Sequence, residues 1–161
     1  MKFDGMIPLA SKVGTKHDNG HWHFPEQMGT KGHVGFIYVI RDTVLNRFYL
    51  GKKQFYGTGK LNKGKESNWK KYKSSSNLLE EMLKERPMHE FDFICLEQYK
   101  TKGTLSYSET WSLCLVEAPT SNIWYNNLIE KVSWSVREAI TDRHKDRLQK
   151  CIDGHDFSGE S

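Results

Sequence analysis

The clearest run of apolar positions begins after Gly35, where Phe36-Ile37-Tyr38-Val39-Ile40 is β-branched and aromatic and predicts a strand. Asp42 to Asn46 carries turn chemistry, and Arg47-Phe48-Tyr49-Leu50-Gly51 reads as a second strand. The two should pair as an antiparallel hairpin that brings Tyr38 near Tyr49. Lys52 to Lys65, rich in Gly and Lys, predicts a loop, and Glu66 to Tyr72 a short helix. Ser74-Ser75-Ser76-Asn77 offers capping oxygens to a helix whose apolar positions are Leu78, Leu79, Met82 and Leu83, with a stop at Arg86-Pro87. Phe91 to Tyr99 places Phe91, Phe93 and Cys95 on one face with Ile94 and Leu96 between them, a third strand buried on both sides in its middle. Ser106 to Glu117 predicts a helix before Ala118-Pro119, and residues 120–127 an asparagine-rich loop. Val132, Val136, Ile140, Leu148 and Ile152 recur at multiples of four, with His144 filling the gap, which predicts a C-terminal amphipathic helix ended by Gly154 and followed by a loose tail.

The fold class that results is α/β of the α+β kind, a small, mainly antiparallel three-stranded sheet flanked by helices. Residues 1–32 show no sustained period and read as a surface arm, 33–130 as the folded domain, and 131–161 as a C-terminal helix and tail. His21-Trp22-His23 could set two imidazoles on one side of an extended segment, but no third ligand completes a metal site.

With 161 residues, 37% hydrophobic and 27% charged, the chain has room for one core and is too apolar for disorder. No apolar run is long enough to cross a bilayer, and the N-terminal residues lack a secretory apolar stretch, so a cytoplasmic protein is expected. Three scattered cysteines form no C-x-x-C pair and read as buried thiols.

Charge changes the picture more. Arg47 to Lys73 holds nine basic residues and one acid, a net +8, while the rest of the chain carries 15 basic against 19 acidic side chains. Such a concentration calls for an anionic partner. Clustered lysines suit a phosphate backbone, and the interleaved Phe55, Tyr56, Trp69 and Tyr72 could stack on bases. The alternative is a solvated lysine loop.

Taken in order, Phe36-Ile37-Tyr38, Tyr49-Leu50-Gly51 with its tyrosine eleven residues after Tyr38, Glu109 in Ser108-Glu109-Thr110-Trp111, and Tyr125-Asn126 resemble the GIY-YIG nuclease family. The lysine pair after Leu50-Gly51, together with Glu66-Ser67-Asn68-Trp69-Lys70 and the triple serine, is similar to its phage-type, Seg-like homing endonuclease branch. The resemblance implies a metal-dependent endonuclease acting on double-stranded DNA, of the homing or phage-interference kind, with Tyr38, Tyr49, Glu109 and Asn126 in its site. Phe36 stands where the family usually has glycine. The arginine and histidine that most members carry after the second motif are absent, so a lysine must substitute, with Lys53 and Lys70 the first choices. Lys52, Lys60, Lys63, Lys65, Lys71, Lys73 and Trp69 would then bind DNA.

The residues themselves support that chemistry. Phosphodiester hydrolysis needs an attacking water and stabilised phosphoryl and leaving oxygens. Glu109 can hold one hard divalent cation, Mg²⁺ or Mn²⁺, leaving positions for water and phosphate. Tyr38 can accept the water's proton only if cations draw its pKa below about 10. Tyr49 would orient water or phosphate, and Asn126 would pin the neighbouring helix or loop. Each residue also has a structural reading: the tyrosines as cross-strand neighbours, Glu109 as partner of Ser106 in a capping box, Asn126 as a turn cap. A catalytically inactive nucleic-acid-binding module is the competing function, and a homodimer would let a one-site module cut both strands.

Overall fold

In a computed structural model, which describes residues 17–126 and 138–160, the central strand β1 (Gly35–Asp42) is buried along its whole length. It pairs antiparallel with β2 (Arg47–Gln54) on one side and β3 (Phe91–Tyr99) on the other, giving the order β2-β1-β3. The hairpin turn is held by Asp42, whose carboxylate accepts the Val44 and Leu45 amides at 3.0 Å each and also binds Arg86 through two hydrogen bonds of 2.7 and 2.8 Å. The short polar side chain of Asn46 tolerates the left-handed φ of 53° that closes the turn.

Alternation of side chains divides the core between the two faces of the sheet. Ile37, Val39, Phe48, Leu50, Ile94 and Leu96 face α2 (Lys102–Leu115) and α3 (Asp142–Ile152), meeting Leu105, Leu113 and Leu148. Phe36, Tyr38, Ile40, Phe93 and Cys95 face the other way, toward Phe55, Trp69 and Leu79 of α1 (Asn77–Glu85). A register shift between Ile37 and Tyr38 in the β1–β3 pairing changes which face β3 presents, so that Tyr99 joins the α2 side.

Both sheet edges are covered. The segment around His23 runs along β3, with the His23 amide donating to Phe93 O and the Cys95 amide to His23 O. Ile123 to Asn126 runs along β2, where the Phe48 amide donates to Ile123 O and the Tyr125 amide to Phe48 O. Covering an edge in this way removes a template for strand addition.

The stretch expected to be a surface arm is therefore core from residue 22 onward: Trp22, Phe24 and Met28 are buried against Phe36, Tyr38 and Trp69. Sequence periodicity misses it because irregular backbone buries side chains without a repeat. α1 begins and ends as its caps predict, Ser76 accepting from the Leu79 amide. The stretch expected as a short helix at Glu66 to Tyr72 is one 3₁₀ turn at Trp69–Lys71. α2 begins earlier than expected because Thr101, not Ser106, is its cap: the Thr101 hydroxyl accepts from the Thr104 amide at 3.2 Å. Ser106 lies inside the helix, which removes the capping-box reading of Glu109.

The C-terminal helix starts at Asp142, capped by Thr141, so Ile140 precedes it, while Val132 and Val136 lie outside the described residues. The tail is docked rather than loose, with Phe157 buried and Glu160 gripping the buried Arg147 at 2.6 and 2.8 Å. Of the cysteines expected to be buried, Cys95 and Cys151 are, whereas Cys114 is exposed. Among the described residues no helix is long and apolar enough to cross a membrane.

Candidate active site

The hairpin register places Tyr38 opposite Gly51 and Ile40 opposite Tyr49, so both phenols fall on one face of the sheet, their ring centres 6.3 Å apart. The missing side chain at Gly51 makes room for the Tyr38 hydroxyl: a Cβ there would lie 2.5 Å from the phenol oxygen. Tyr72 meets Tyr38 edge-on at 6.1 Å, and Lys53 Nζ lies 4.1 Å from the centre of the Tyr72 ring. The Ser74 hydroxyl acts on both phenols and the Ser75 hydroxyl on Tyr49, each opposing the upward effect of burial on the phenol pKa. Ser74 holds this position with φ at 101°, a region that L residues rarely occupy, and its Oγ accepts from the Ser76 amide at 2.9 Å.

From the other face, α2 brings Ser106 and Glu109 to the next position of β2. Lys52 Nζ donates to Ser106 Oγ at 2.9 Å and stands 3.4 Å from Glu109 Oε1. The Glu109 charge reaches Tyr38 and Tyr49 as well and raises the pKa of each. Thus Tyr38, Tyr49 and Lys53 lie on one face of the hairpin and Lys52 and Glu109 meet on the other, near enough for the Glu109 charge to be felt at both phenols. Tyr72, expected only as a ring to stack on bases, Ser74 and Ser75, expected as capping residues, and Ser106 lie beside them.

The electrostatics correct one expectation. Burial pushes the Tyr38 hydroxyl well above its ordinary pKa of 10.0, with the neighbouring Tyr49, Tyr72 and Glu109 adding to the shift. Burial raises Tyr49 too, against the Ser74 and Ser75 hydroxyls. Both phenols are therefore hydrogen-bond donors, and the phenolate expected at Tyr38 is not favoured. Partial burial lowers the Lys53 pKa, which makes its ammonium a poorly solvated cation ready for an anion.

Asn126 has a structural engagement. Its Oδ1 accepts from the Leu50 amide at 2.9 Å and its Nδ2 donates to Leu50 O at 2.7 Å, so the side chain acts as one more rung on the edge of β2. Lys70 turns toward the N-terminal segment, pairing with Asp18 at 2.6 Å and lying over the Trp69 ring. Trp69 itself is buried, with its indole N–H donating to Glu66, and Phe55 is buried beside it, so neither ring is presented to a base as expected. Lys60, Lys63, Lys65, Lys71 and Lys73 are exposed, as is Tyr56. A cleft of about 410 Å³ opens next to Ser74 and Tyr72, lined also by Lys71, Lys73 and Lys84.

No three His, Cys, Asp or Glu side chains gather into a metal-ligand set among the described residues. The donor chemistry fits a hard cation all the same, because Mg²⁺ keeps several waters and is commonly held by one carboxylate plus substrate phosphate. Glu109 is the carboxylate that would hold it.

A short antiparallel sheet with two phenols from its hairpin, a carboxylate from the following helix and an asparagine on the strand edge defines a protein of the GIY-YIG nuclease layout. The comparison with protein families agrees: residues 21–129 match the model described as "Putative endonuclease segE, GIY-YIG domain", and the chain belongs to that family. No curated protein and no solved structure gives a significant match.

Proposed function

We propose that the protein is a metal-dependent endonuclease that hydrolyses phosphodiester bonds of double-stranded DNA, as a homing-type or phage-interference nuclease acting in the cytoplasm. The observation that carries this reading is the Lys52–Glu109 pair on the strand of the family's second motif, lying within electrostatic reach of two protonated phenols of the hairpin. Glu109 would hold Mg²⁺ or Mn²⁺, Lys52 moving from the carboxylate to a phosphate oxygen. The bound cation would supply Lewis acidity to the phosphoryl and leaving oxygens and would make a nearby water easier to deprotonate. Tyr38 and Tyr49 donate hydrogen bonds to phosphoryl oxygens or to the attacking water, held in place by Ser74 and Ser75. Lys53 offsets the charge that builds on the phosphate and takes the place of the family arginine. Lys71 and Lys73 engage phosphates beyond the scissile one. A homodimer would bring two such sites to the two strands.

The test is plasmid nicking with and without Mg²⁺. Glu109→Ala should abolish metal-dependent cutting while binding stays within a few-fold. Tyr38→Phe should slow turnover by roughly 10²-fold, the usual loss for one transition-state donor, and leave duplex binding unchanged. A second reading, an inactive nucleic-acid-binding module, is favoured by the missing arginine and by the Lys52 charge already lying against Glu109. Binding by wild type and Glu109→Ala alike, with neither cutting any DNA form under Mg²⁺ or Mn²⁺, would establish it instead.

A further inference from the structure

Beyond Gln54 the chain leaves the sheet and forms a loop that is basic, ordered by its own backbone, and tipped by an apolar side chain. Leu61 is 86% exposed, the most exposed large apolar residue among those described. Lys60, Lys63 and Lys65 around it are exposed, and none of the three pairs with a carboxylate among the described residues.

The loop is built to hold this arrangement. The Gly57 amide donates to Lys65 O, the Gly64 amide to Gly57 O, the Asn62 amide to Gly59 O and the Lys65 amide to Asn62 O. Tyr56 pairs with Glu66 across its base. Gly64 takes the positive φ of 78° that the return requires, and Gly57 touches Asn62 so closely that a Cβ would collide with it. A solvated lysine loop has no need of such bracing, and a leucine at its tip is costly in water. Three ammonium groups around one apolar tip match a surface that is anionic outside and apolar within. The minor groove of duplex DNA is such a surface, where apolar side chains enter between base steps while neighbouring cations meet the phosphates. The loop starts only about 10 Å along the chain from Lys53, so a duplex seated at the phenols passes beside it.

We propose that Leu61 is a wedge that enters the minor groove of bound duplex DNA, anchored by Lys60, Lys63 and Lys65, and that it unstacks a base step a few base pairs from the cut. The proposal rests on the reading of the protein as a duplex-DNA nuclease and adds to it the distortion of the substrate.

The experiment uses the full chain in EDTA, so that no strand is cut. Short duplexes carry 2-aminopurine scanned along one strand and a donor–acceptor dye pair at the ends. Wild type should raise 2-aminopurine emission at one step and report a bend of about 20–90° by energy transfer. Leu61→Ala should lose both signals and several-fold in affinity while keeping the salt dependence, and Leu61→Phe should keep the bend. Replacing the three lysines by Gln should lower the slope of log K against log salt by roughly 0.9 for each phosphate no longer neutralised. The side chain is so exposed that these variants should melt with wild type, and a thermal scan checks this. Duplex binding with no step unstacked, or with Leu61→Ala indistinguishable from wild type, overturns the wedge and leaves the nuclease reading standing. Wild type that binds no duplex in any salt overturns both.

Discussion

At the residue scale, Gly51 and Ser74 show how backbone positions without reactive groups set the chemistry. Gly51 makes space for a phenol; Ser74, at a positive φ, holds a hydroxyl that acts on the ionisation of both phenols. A non-glycine residue in such a conformation costs about 1–3 kcal/mol and persists where the surrounding structure over-determines it. Ser74→Gly removes the strain together with the hydroxyl, while glycine loses about 0.5–1 kcal/mol more chain entropy on folding. Because the Ser76 amide also loses its acceptor, the variant should melt near the wild-type temperature yet cut DNA roughly tenfold more slowly, the phenols having lost a neighbouring hydroxyl that helps position them. Lower stability with unchanged cutting would make Ser74 an ordinary turn residue. As candidates, Tyr38, Tyr49 and Glu109 were legible in the sequence because their order and spacing resemble a motif. Ser74 and Tyr72 were not, since a positive φ at a serine and a ring under a lysine leave no periodic trace. What opposes a Tyr38 phenolate was not legible either: the lysines are plain in the sequence, but its burial among Trp22, Phe36 and Tyr72 is not.

At the element scale, the site depends on how the outer edge of β2 is closed. Asn126 supplies to Leu50 both the donor and the acceptor that a fourth strand would have provided. Removing the amide orphans a buried N–H and a buried C=O, at about 1–3 kcal/mol for each group left unsatisfied. Asn126→Ala should thus lower the urea midpoint and the cutting rate together, whereas Tyr38→Phe should lower only the rate. Chemical denaturation beside the nicking assay separates these outcomes, and an Asn126→Ala protein of wild-type stability that does not cut would assign the amide a part in the reaction itself. The three strands and α1 were readable because apolar period, turn chemistry and caps agree over Phe36 to Gly51 and Ser74 to Tyr99. The start of α2 was not, because a lone Thr101 cap carries less signal than the Ser-x-x-Glu pattern that begins at Ser106, a pattern that here lies mid-helix. The core role of residues 22–28 escaped for want of any repeat.

At the scale of the whole molecule, two imidazoles tie elements together, His144 fully buried between helices and sheet and His21 half-buried against β3. His144 of α3 lies between Tyr99 of β3 and Ser112 of α2, its Nδ1 2.8 Å from the phenol oxygen and its Nε2 2.9 Å from the serine oxygen. Ser112 donates its own hydrogen to Ser108 O at 2.7 Å, so it accepts from Nε2–H and leaves Nδ1 to accept from Tyr99. That arrangement requires neutral imidazole. Burial lowers the His144 pKa from 6.5 to about 4, the Glu97 charge opposing and Lys145 assisting the shift. Burial brings His21, stacked on Phe93, from 6.5 to about 4 as well, despite its hydrogen bond with Tyr72 O. With the folded pKa below the unfolded one, the unfolded chain takes up the protons first as pH falls. The stability due to neutral imidazole is whole above pH 6.5 and drains away down to about pH 4, by up to roughly 3 kcal/mol for His144. Asp42 behaves in the same sense in a lower window: its burial is outweighed by Arg86, the Leu45 amide and Tyr125, which bring its pKa from 3.8 to about 2. Acid should therefore weaken the fold in two stages, histidines first and the hairpin carboxylate after. Urea midpoints measured across these windows check this: His144→Asn should start lower at neutral pH and fall less steeply between pH 6.5 and about 4 than wild type does. Parallel curves for the two proteins would show that His144 is not the group that titrates.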